Sequence, residues 1–232
     1  MKIFNVLIVS FALGLGACVG EEADPIVPNQ NVDVSENNGV DGDPVDDVVV
    51  EPCVDRPICL DAPAPQYSLT DFQSHSPRFG EAYGLEGFGG KVTVVAMLAG
   101  WCGFCQSQAL QMEVMQAELL EEGFDVNFVA VNDISASSEA DQNKLAFLKD
   151  DSGEVLLDEE TGEPVPRCTF PLLQDVEEVG AWDLHEVSKD DIIIYSAQGT
   201  LKRFLARGGA VNTTLSNEAG YNAVKEAIIG AF

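Results

Sequence analysis

The chain has 232 residues, with 39 acidic and 12 basic side chains and a net charge of −27 near neutral pH. This length suits one globular domain with appendages. Phosphate binding requires clustered Lys and Arg, and residues 65–232 carry 27 acidic against 10 basic residues, so we expect no nucleic-acid partner.

The first 18 residues have the pattern of an export signal. Lys2 supplies a positive start, and Ile3 to Leu15 form an apolar stretch too short to span a bilayer comfortably. Leu15-Gly-Ala-Cys18 then resembles the lipobox of bacterial lipoprotein signal peptides, which implies lipidation of Cys18 as the mature N-terminus. The alternatives are an ordinary secretory signal, which would release a soluble protein, and an uncleaved anchor. All three predict export, and the lipobox predicts attachment to the cell envelope, on the periplasmic face or outer membrane, through the lipid alone.

Residues 19–64 differ in composition from the rest of the chain. They contain twelve acidic residues, one base and no aromatic side chain, with frequent Pro, Asn and Gly. Such a segment cannot bury enough apolar surface to offset its ordering entropy. We therefore predict a disordered acidic tether over 19–64 and a folded domain over 65–232.

The clearest secondary-structure pattern is a predicted strand and a predicted helix on either side of a C-x-x-C motif. Residues 91–98 form a largely apolar, β-branched run without polar alternation, as in a buried parallel strand, and residues 106–122 have the periodicity of an amphipathic helix. Cys102 and Cys105 lie at the junction, where the helix N-terminus favours a thiolate at Cys102. Cys105, one turn later, can attack a mixed disulfide formed by Cys102. A zinc site is the alternative, but a second pair with similar spacing is missing, so we predict no metal.

The remaining elements complete a mixed sheet with helices. Tyr67 to Phe72 indicates a short edge element, and residues 126–131 form a second buried strand, which gives a parallel βαβ unit. After a short helix at 141–149 and an exposed acidic hairpin at 149–167, residues 192–195 and 200–205 indicate an antiparallel hairpin. Ser216 can cap a final helix. This order predicts an α/β protein of the thioredoxin-like fold.

Three further cysteines are candidates for a structural disulfide. Cys53 and Cys59 bracket five residues just before the predicted domain, and an exported protein can form such a bridge. Cys168 is then left over, and it can also pair with either of them or act as a third redox thiol. Sequence does not fix this connectivity.

Several segments of residues 65–232 resemble the N-terminal domain of selenoprotein P. They include Gly90 to Leu98, the C-x-x-C motif, and above all Ser188-Lys-Asp-Asp-Ile-Ile-Ile-Tyr195. The resemblance implies a thioredoxin-like fold and a redox site in which Cys102 occupies the position of selenocysteine. The histidine-rich and selenocysteine-rich parts of that family are missing, so selenium transport is not implied.

These features predict a thiol–disulfide oxidoreductase. Cys102 would attack and Cys105 would resolve, with Trp101, Asp190 and Asp191 as neighbours of the redox site and no bound cofactor. Asp190 and Asp191 either face Cys102 and oppose its thiolate or point outward. Protein thiols or disulfides, or a redox partner protein, would be the substrates of a monomer. The alternatives are a thiol-dependent peroxidase, and a binding or structural module whose cysteines form a permanent disulfide or metal clip.

Overall fold

The structure is a computed structural model that describes Cys53 and residues 55–232. The predicted signal segment, Cys18 and most of the predicted tether lie outside the described residues. In the part of the chain that is described, no helix combines the length and hydrophobicity needed to cross a bilayer.

The core of the domain is a seven-stranded mixed sheet with the order β2-β1-β5-β4-β3-β6-β7. The strands are β1 (Leu69–Asp71), β2 (Ala82–Tyr83), β3 (Val92–Leu98), β4 (Val126–Asn132), β5 (Leu172–Gln174), β6 (Ile192–Tyr195) and β7 (Leu201–Leu205). The three central strands β3, β4 and β5 are parallel, and all other neighbours are antiparallel. The carboxyl ends of β3, β4 and β5 therefore meet at one edge, which is where α/β proteins commonly place their sites.

Four α-helices of the described residues accompany the sheet: α1 (Gly103–Glu121), α2 (Glu139–Ala146), α3 (Ala181–His185) and α4 (Glu218–Ile229). The apolar residues of β3 alternate between two hydrophobic clusters, because successive strand residues point to opposite faces. Val94, Ala96 and Leu98 share a cluster with residues of α1, α2 and α4. Val95 and Met97 share the other with residues of α3, β1 and β7. Helices thus cover both faces of a mixed sheet, which is the predicted thioredoxin-like fold.

The folded part begins earlier than the sequence predicts. Residues 55–64, assigned above to the disordered tether, pack along β7. The Asp61 and Ala64 amides donate to the carbonyl oxygens of Leu201 and Gly199, and the Leu201 amide donates to Ala62. Cys59 and Ala64 are buried. The predicted boundary at residue 65 is therefore wrong by about ten residues, because backbone pairing stabilises a segment whose composition alone resembles a linker.

Three local predictions also need correction. β1 does not lie at the sheet edge, since it pairs with both β2 and β5. The three-residue β5 was missed, because so short a strand has no distinctive periodicity. The final helix is capped by Asn217, whose side chain accepts from the Gly220 amide, and not by Ser216.

The acidic segment after α2 is a small structure of its own. Isolated bridges join Phe147 to Pro166, Lys149 to Val155 and Leu157 to Pro164, so three short extended segments pair with one another. Asp150 and Asp158 each accept hydrogen bonds from backbone amides in the two intervening turns. The acidic side chains at these turns thus serve the local backbone.

Candidate active site

Cys102 and Cys105 lie where the chain leaves β3 and enters α1. Cys102 is the N-cap residue of the helix, and its Sγ accepts a hydrogen bond from the Cys105 amide at 3.4 Å. Cys105 lies within the first turn. Both are free thiols, and their sulfur atoms and a carboxylate oxygen of Asp190 lie within 4.8 Å of one another. The predicted helix start at residue 106 was three residues late, but the expected position of Cys102 at the helix N-terminus is the one the structure has.

Cys102 is partly exposed, and its sulfur accepts hydrogen bonds from two donors. In addition to the Cys105 amide, the Lys189 ammonium donates to it at 3.4 Å. Burial disfavours the thiolate, but hydrogen bonds from Cys105 and Lys189 outweigh burial and lower the pKa of Cys102. The helix N-terminus acts in the same direction. Cys102 therefore has the exposure and the electrostatic setting of an attacking thiolate.

Cys105 has the opposite environment. Its side chain is fully buried, and its thiol donates to Asp190 Oδ1 at 2.9 Å. Burial, reinforced by the hydrogen bond to the Asp190 carboxylate, raises the pKa of Cys105 well above its ordinary value. Two thiols one helical turn apart thus differ strongly in acidity, as an attacking and a resolving thiol should.

The two neighbouring aspartates have separate roles. Asp190 faces the thiols, and Asp190 Oδ2 also pairs with Lys189 Nζ at 2.7 Å and Arg207 Nη1 at 3.2 Å. Asp191 instead accepts hydrogen bonds from the backbone amides of Ser188 and Arg207, each at 2.7 Å. Asp190 is therefore part of the candidate site, whereas Asp191 holds the 188–191 loop in place.

The turn before Cys102 is fixed at Gly100. The Gly100 amide donates to Asn132 Oδ1 at 2.9 Å, and Gln106 Nε2 donates to the Gly100 carbonyl at 2.8 Å. A Cβ at this position would lie 2.1 Å from the Asp141 carbonyl oxygen, so only glycine fits. Side chains from β4 and α1 thus fix the position of the backbone at Gly100, two residues before Cys102.

Trp101 lies at the surface next to this turn. About half of its side chain is exposed, and its indole N–H donates to the Ser135 hydroxyl at 3.0 Å. Lys189 Nζ lies 5.9 Å from the centroid of the indole ring, so Trp101 and Lys189 flank Cys102 together. The Arg207 guanidinium lies 5.4 Å from the centroid of the Phe104 ring.

Cys102, Cys105 and Asp190 are three potential metal donors, but their surroundings fit a thiol pair better. Lys189 donates to both Cys102 and Asp190 and occupies lone pairs that a metal would need. A structural zinc site takes four ligands, and the described residues offer only three donor groups here.

The other predicted cysteine candidates lie apart from this site. Cys53 and Cys59 form a disulfide, which ties the start of the described chain to the segment along β7. Cys168 is buried, and burial raises the pKa of its thiol. Gln73 Nε2 lies 3.7 Å from the Cys168 sulfur and donates to the Cys168 carbonyl at 2.8 Å. Neither environment suits a third redox thiol.

Two functional candidates were missed from the sequence. Lys189 and Arg207 bring positive charge to the thiols and to Asp190 in a strongly acidic protein. Lys189 stands within the Ser-Lys-Asp-Asp segment that carries the resemblance, so the motif itself was the available signal. Arg207 follows the last strand and has no such signal.

Comparison with known proteins finds a matching family model and similar solved structures. A family model described as Redoxin matches residues 62–204, which include both thiols, Lys189 and Asp190. No curated protein matches the chain. Similar solved structures include a secreted Mycobacterium tuberculosis disulfide oxidoreductase homologous to E. coli DsbE, 16% identical over 71% of this chain and 96% of its own, with a TM-score of 0.45. They also include the thioredoxin domain of a Bacteroides vulgatus thiol-disulfide oxidoreductase, 16% identical over 73% and 98%, with a TM-score of 0.47.

Proposed function

Because this chain belongs to the Redoxin family, we propose that it is a thiol–disulfide oxidoreductase that acts through Cys102 and Cys105. The observation that carries the proposal is the contrast between the two sulfurs. Cys102 is partly exposed and receives hydrogen bonds from Lys189 and the Cys105 amide, whereas Cys105 is buried behind it.

The reaction proceeds through a mixed disulfide. The Cys102 thiolate attacks one sulfur of a partner disulfide, and the other sulfur leaves as a thiolate. Cys105 then attacks the Cys102 sulfur and releases the second partner thiol. The partner disulfide gains two electrons, and Cys102 and Cys105 become a disulfide. The reverse sequence oxidises a dithiol partner, and Trp101 and Lys189 would line the approach in either direction.

Trapping of the intermediate tests the proposal. Cys105→Ser should accumulate covalent adducts with partner proteins that dithiothreitol releases, because the resolving thiol is gone. Cys102→Ser should form none, and Cys168→Ser, which removes a buried thiol, is the matched control and should behave as the wild type. Adducts that persist in the Cys102→Ser variant would refute the assigned roles.

Two measurements separate this function from the alternatives predicted by the sequence. A reduction potential below about −300 mV would indicate a structural bridge rather than an exchanging pair. Hydrogen peroxide consumption that is faster than reduction of a protein disulfide would instead identify a thiol-dependent peroxidase.

We further propose that the protein is exported and held at the cell envelope by a lipid on Cys18, with residues 19–54 as the tether. The apolar segment and the lipobox-like Leu15-Gly-Ala-Cys18 support this location. Cys18→Ser should abolish fatty-acid labelling and move the protein from the membrane fraction to the soluble fraction. Labelling that survives the substitution would contradict lipidation at Cys18.

The resemblance to the selenoprotein P N-terminal domain belongs to the same proposal. Cys102 would stand at the selenocysteine position, and Ser188-Lys-Asp-Asp would supply Lys189 and Asp190 to the redox pair. Since a selenol is more acidic than a thiol, we expect the donors around Cys102 to matter more in this chain.

A further inference from the structure

Asp190 is a fully buried carboxylate between a sulfur and two cations. Oδ1 accepts the hydrogen bond from the Cys105 thiol at 2.9 Å, and Oδ2 contacts Lys189 Nζ at 2.7 Å and Arg207 Nη1 at 3.2 Å. A buried carboxylate is costly unless it is paired, and these contacts supply the pairing. One oxygen thus meets the cations, and the other is left to the thiol.

The backbone holds Asp190 in this orientation. Its φ is +71°, a left-handed conformation that is strained for most non-glycine residues, although Asp tolerates it better than most. The Asp190 amide donates to the Met97 carbonyl at 2.7 Å, which joins the residue to β3. Asp191 fixes the loop from the other side through the Ser188 and Arg207 amides. The structure therefore maintains a strained residue at the position where its carboxylate reaches Cys105.

The second half of disulfide exchange requires a group that removes the proton from Cys105. Cys105 must lose its proton to attack Cys102, but its side chain is fully buried and out of contact with bulk water. The groups that face it are the Cys102 sulfur from the start of α1 and the Asp190 carboxylate, with the cations Lys189 and Arg207 behind Asp190. When Cys102 is in a mixed disulfide, its sulfur carries no charge and is the electrophile, so it is not a base.

We propose that Asp190 is the catalytic base that removes the Cys105 proton during resolution of the mixed disulfide, an inference that rests on the proposed thiol–disulfide exchange. The Cys105 proton moves to Asp190 Oδ1 as the Cys105 sulfur bonds to the Cys102 sulfur. The bond between Cys102 and the partner sulfur breaks, and its electron pair leaves with the partner as a thiolate. The partner sulfur is reduced, and the two cysteines are oxidised to their disulfide.

Lys189 links the two halves of the reaction. It donates to the Cys102 sulfur and pairs with Asp190, so one ammonium contacts both the attacking sulfur and the base. Arg207 contributes a second positive charge to Asp190 from the end of β7. Transfer of the proton is assisted by sulfur–sulfur bond formation, since the Cys105 thiol becomes more acidic as its lone pair enters the new bond.

A two-step chemical probe separates the steps in the full-length protein. With 5,5′-dithiobis(2-nitrobenzoate), attack by Cys102 releases one coloured thiolate, and resolution by Cys105 releases a second. For Asp190→Asn we expect an unimpaired first release and a second release slowed by about 100-fold, the lower range for general-base catalysis. Between about pH 6 and about pH 8 the second step should be flat in the wild type and should rise with hydroxide in the variant.

A control variant and two possible results separate the role of Asp190 from the proposed function. Asp183→Asn removes an exposed carboxylate and should leave both releases unchanged. A second release in Asp190→Asn with the rate and pH profile of the wild type would overturn the role of Asp190 while leaving thiol–disulfide exchange intact. Absence of the first release in the wild type would instead refute the proposed function.

A measurement on the wild type removes any dependence on the folding of the variant. If Asp190 accepts the proton in the resolving step, the second release should slow in deuterium oxide, and the first should not. A second release that shows no isotope effect and increases in proportion to hydroxide would overturn the proposal, because the base would then come from solvent.

Discussion

At the scale of residues, two identical side chains three positions apart acquire different chemistry. Cys102 caps the helix, so its sulfur accepts an amide hydrogen bond, and the residue is partly exposed. Cys105 enters the first turn, where α1 packs on the sheet and buries the thiol. The difference in acidity between the two thiols therefore follows from their positions one helical turn apart and from their contacts with the Lys189 and Asp190 side chains.

The charge of Lys189 should matter for the reactivity of Cys102. In Lys189→Gln we expect the pKa of Cys102 to rise and its alkylation by iodoacetamide at neutral pH to slow by about fivefold, or about 1 kcal/mol for a partly exposed ion pair. Lys149→Gln is the matched control, since Lys149 Nζ donates to the Gly153 carbonyl in the acidic segment. An alkylation rate in Lys189→Gln equal to that of the control would contradict a role for this ammonium.

His185 should make stability depend on pH. Its buried ring contacts the Tyr67 and Tyr195 hydroxyls, and burial lowers its pKa from the ordinary 6.5 to about 4. The unfolded chain therefore binds a proton that the folded protein excludes as the pH falls from about 6.5 to about 4. The free energy of unfolding should be unaffected by this group above pH 6.5 and should decrease by up to about 3 kcal/mol on acidification.

Urea unfolding at several pH values tests this effect of His185. In His185→Gln the part of the pH dependence due to the histidine should disappear, whereas His75→Gln, at an exposed position, should retain it. Equal pH profiles for the two variants would show that His185 is not the group responsible.

At the scale of elements, short and local features decide how the helices begin. α1 starts with a cysteine sulfur as its cap, α2 with the Ser138 hydroxyl, and α4 with the Asn217 amide oxygen. In α1 the cap is also the candidate nucleophile, so the interaction that begins the helix and the one that stabilises the thiolate are the same.

The cap of α4 provides a direct test at this scale. Asn217→Ala should lower the free energy of unfolding by about 1 kcal/mol, because the Gly220 amide loses its acceptor. Ser216→Ala, at the neighbouring position, should change stability by less than about 0.5 kcal/mol. If urea denaturation showed a larger loss of stability for Ser216→Ala than for Asn217→Ala, Ser216 would be the cap.

At the scale of the whole molecule, the domain includes a segment that the sequence assigns to the tether. Residues 55–64 form backbone hydrogen bonds with β7 and its preceding turn, and the Cys53–Cys59 disulfide lies at their start. The folded unit that carries the thiols is thus longer than residues 65–232.

Two truncations test this boundary. A chain that begins at residue 65 should be less stable than one that begins at residue 53 by about 3 kcal/mol, since it lacks the three backbone hydrogen bonds to β7 and its turn, at about 1 kcal/mol each. Thermal and urea unfolding of the two proteins measure the difference. Equal stability would mean that residues 53–64 contribute nothing to the folded domain.

Local sequence patterns were enough to predict the elements with strong periodicity and the redox chemistry placed between two of them. The apolar run of β3, the amphipathic α1 and the C-x-x-C motif are local patterns, so they predict the thioredoxin-like fold and place Cys102 at a helix N-terminus. The antiparallel pair β6 and β7 followed from its turn in the same way.

Which distant groups contact the thiols depends on the packing of separate elements and could not be predicted from local patterns. Asp190 and Asp191 are adjacent and chemically identical. Asp190 has a left-handed backbone conformation, and its carboxylate accepts the hydrogen bond from Cys105, whereas the Asp191 carboxylate accepts hydrogen bonds from loop amides. The contacts of Cys102 with Lys189 and of Asp190 with Arg207 depend on loop conformation and strand register. Local sequence patterns encode which face a residue occupies within its own element. They do not encode which residue from another element, some 85 positions away, lies against that face.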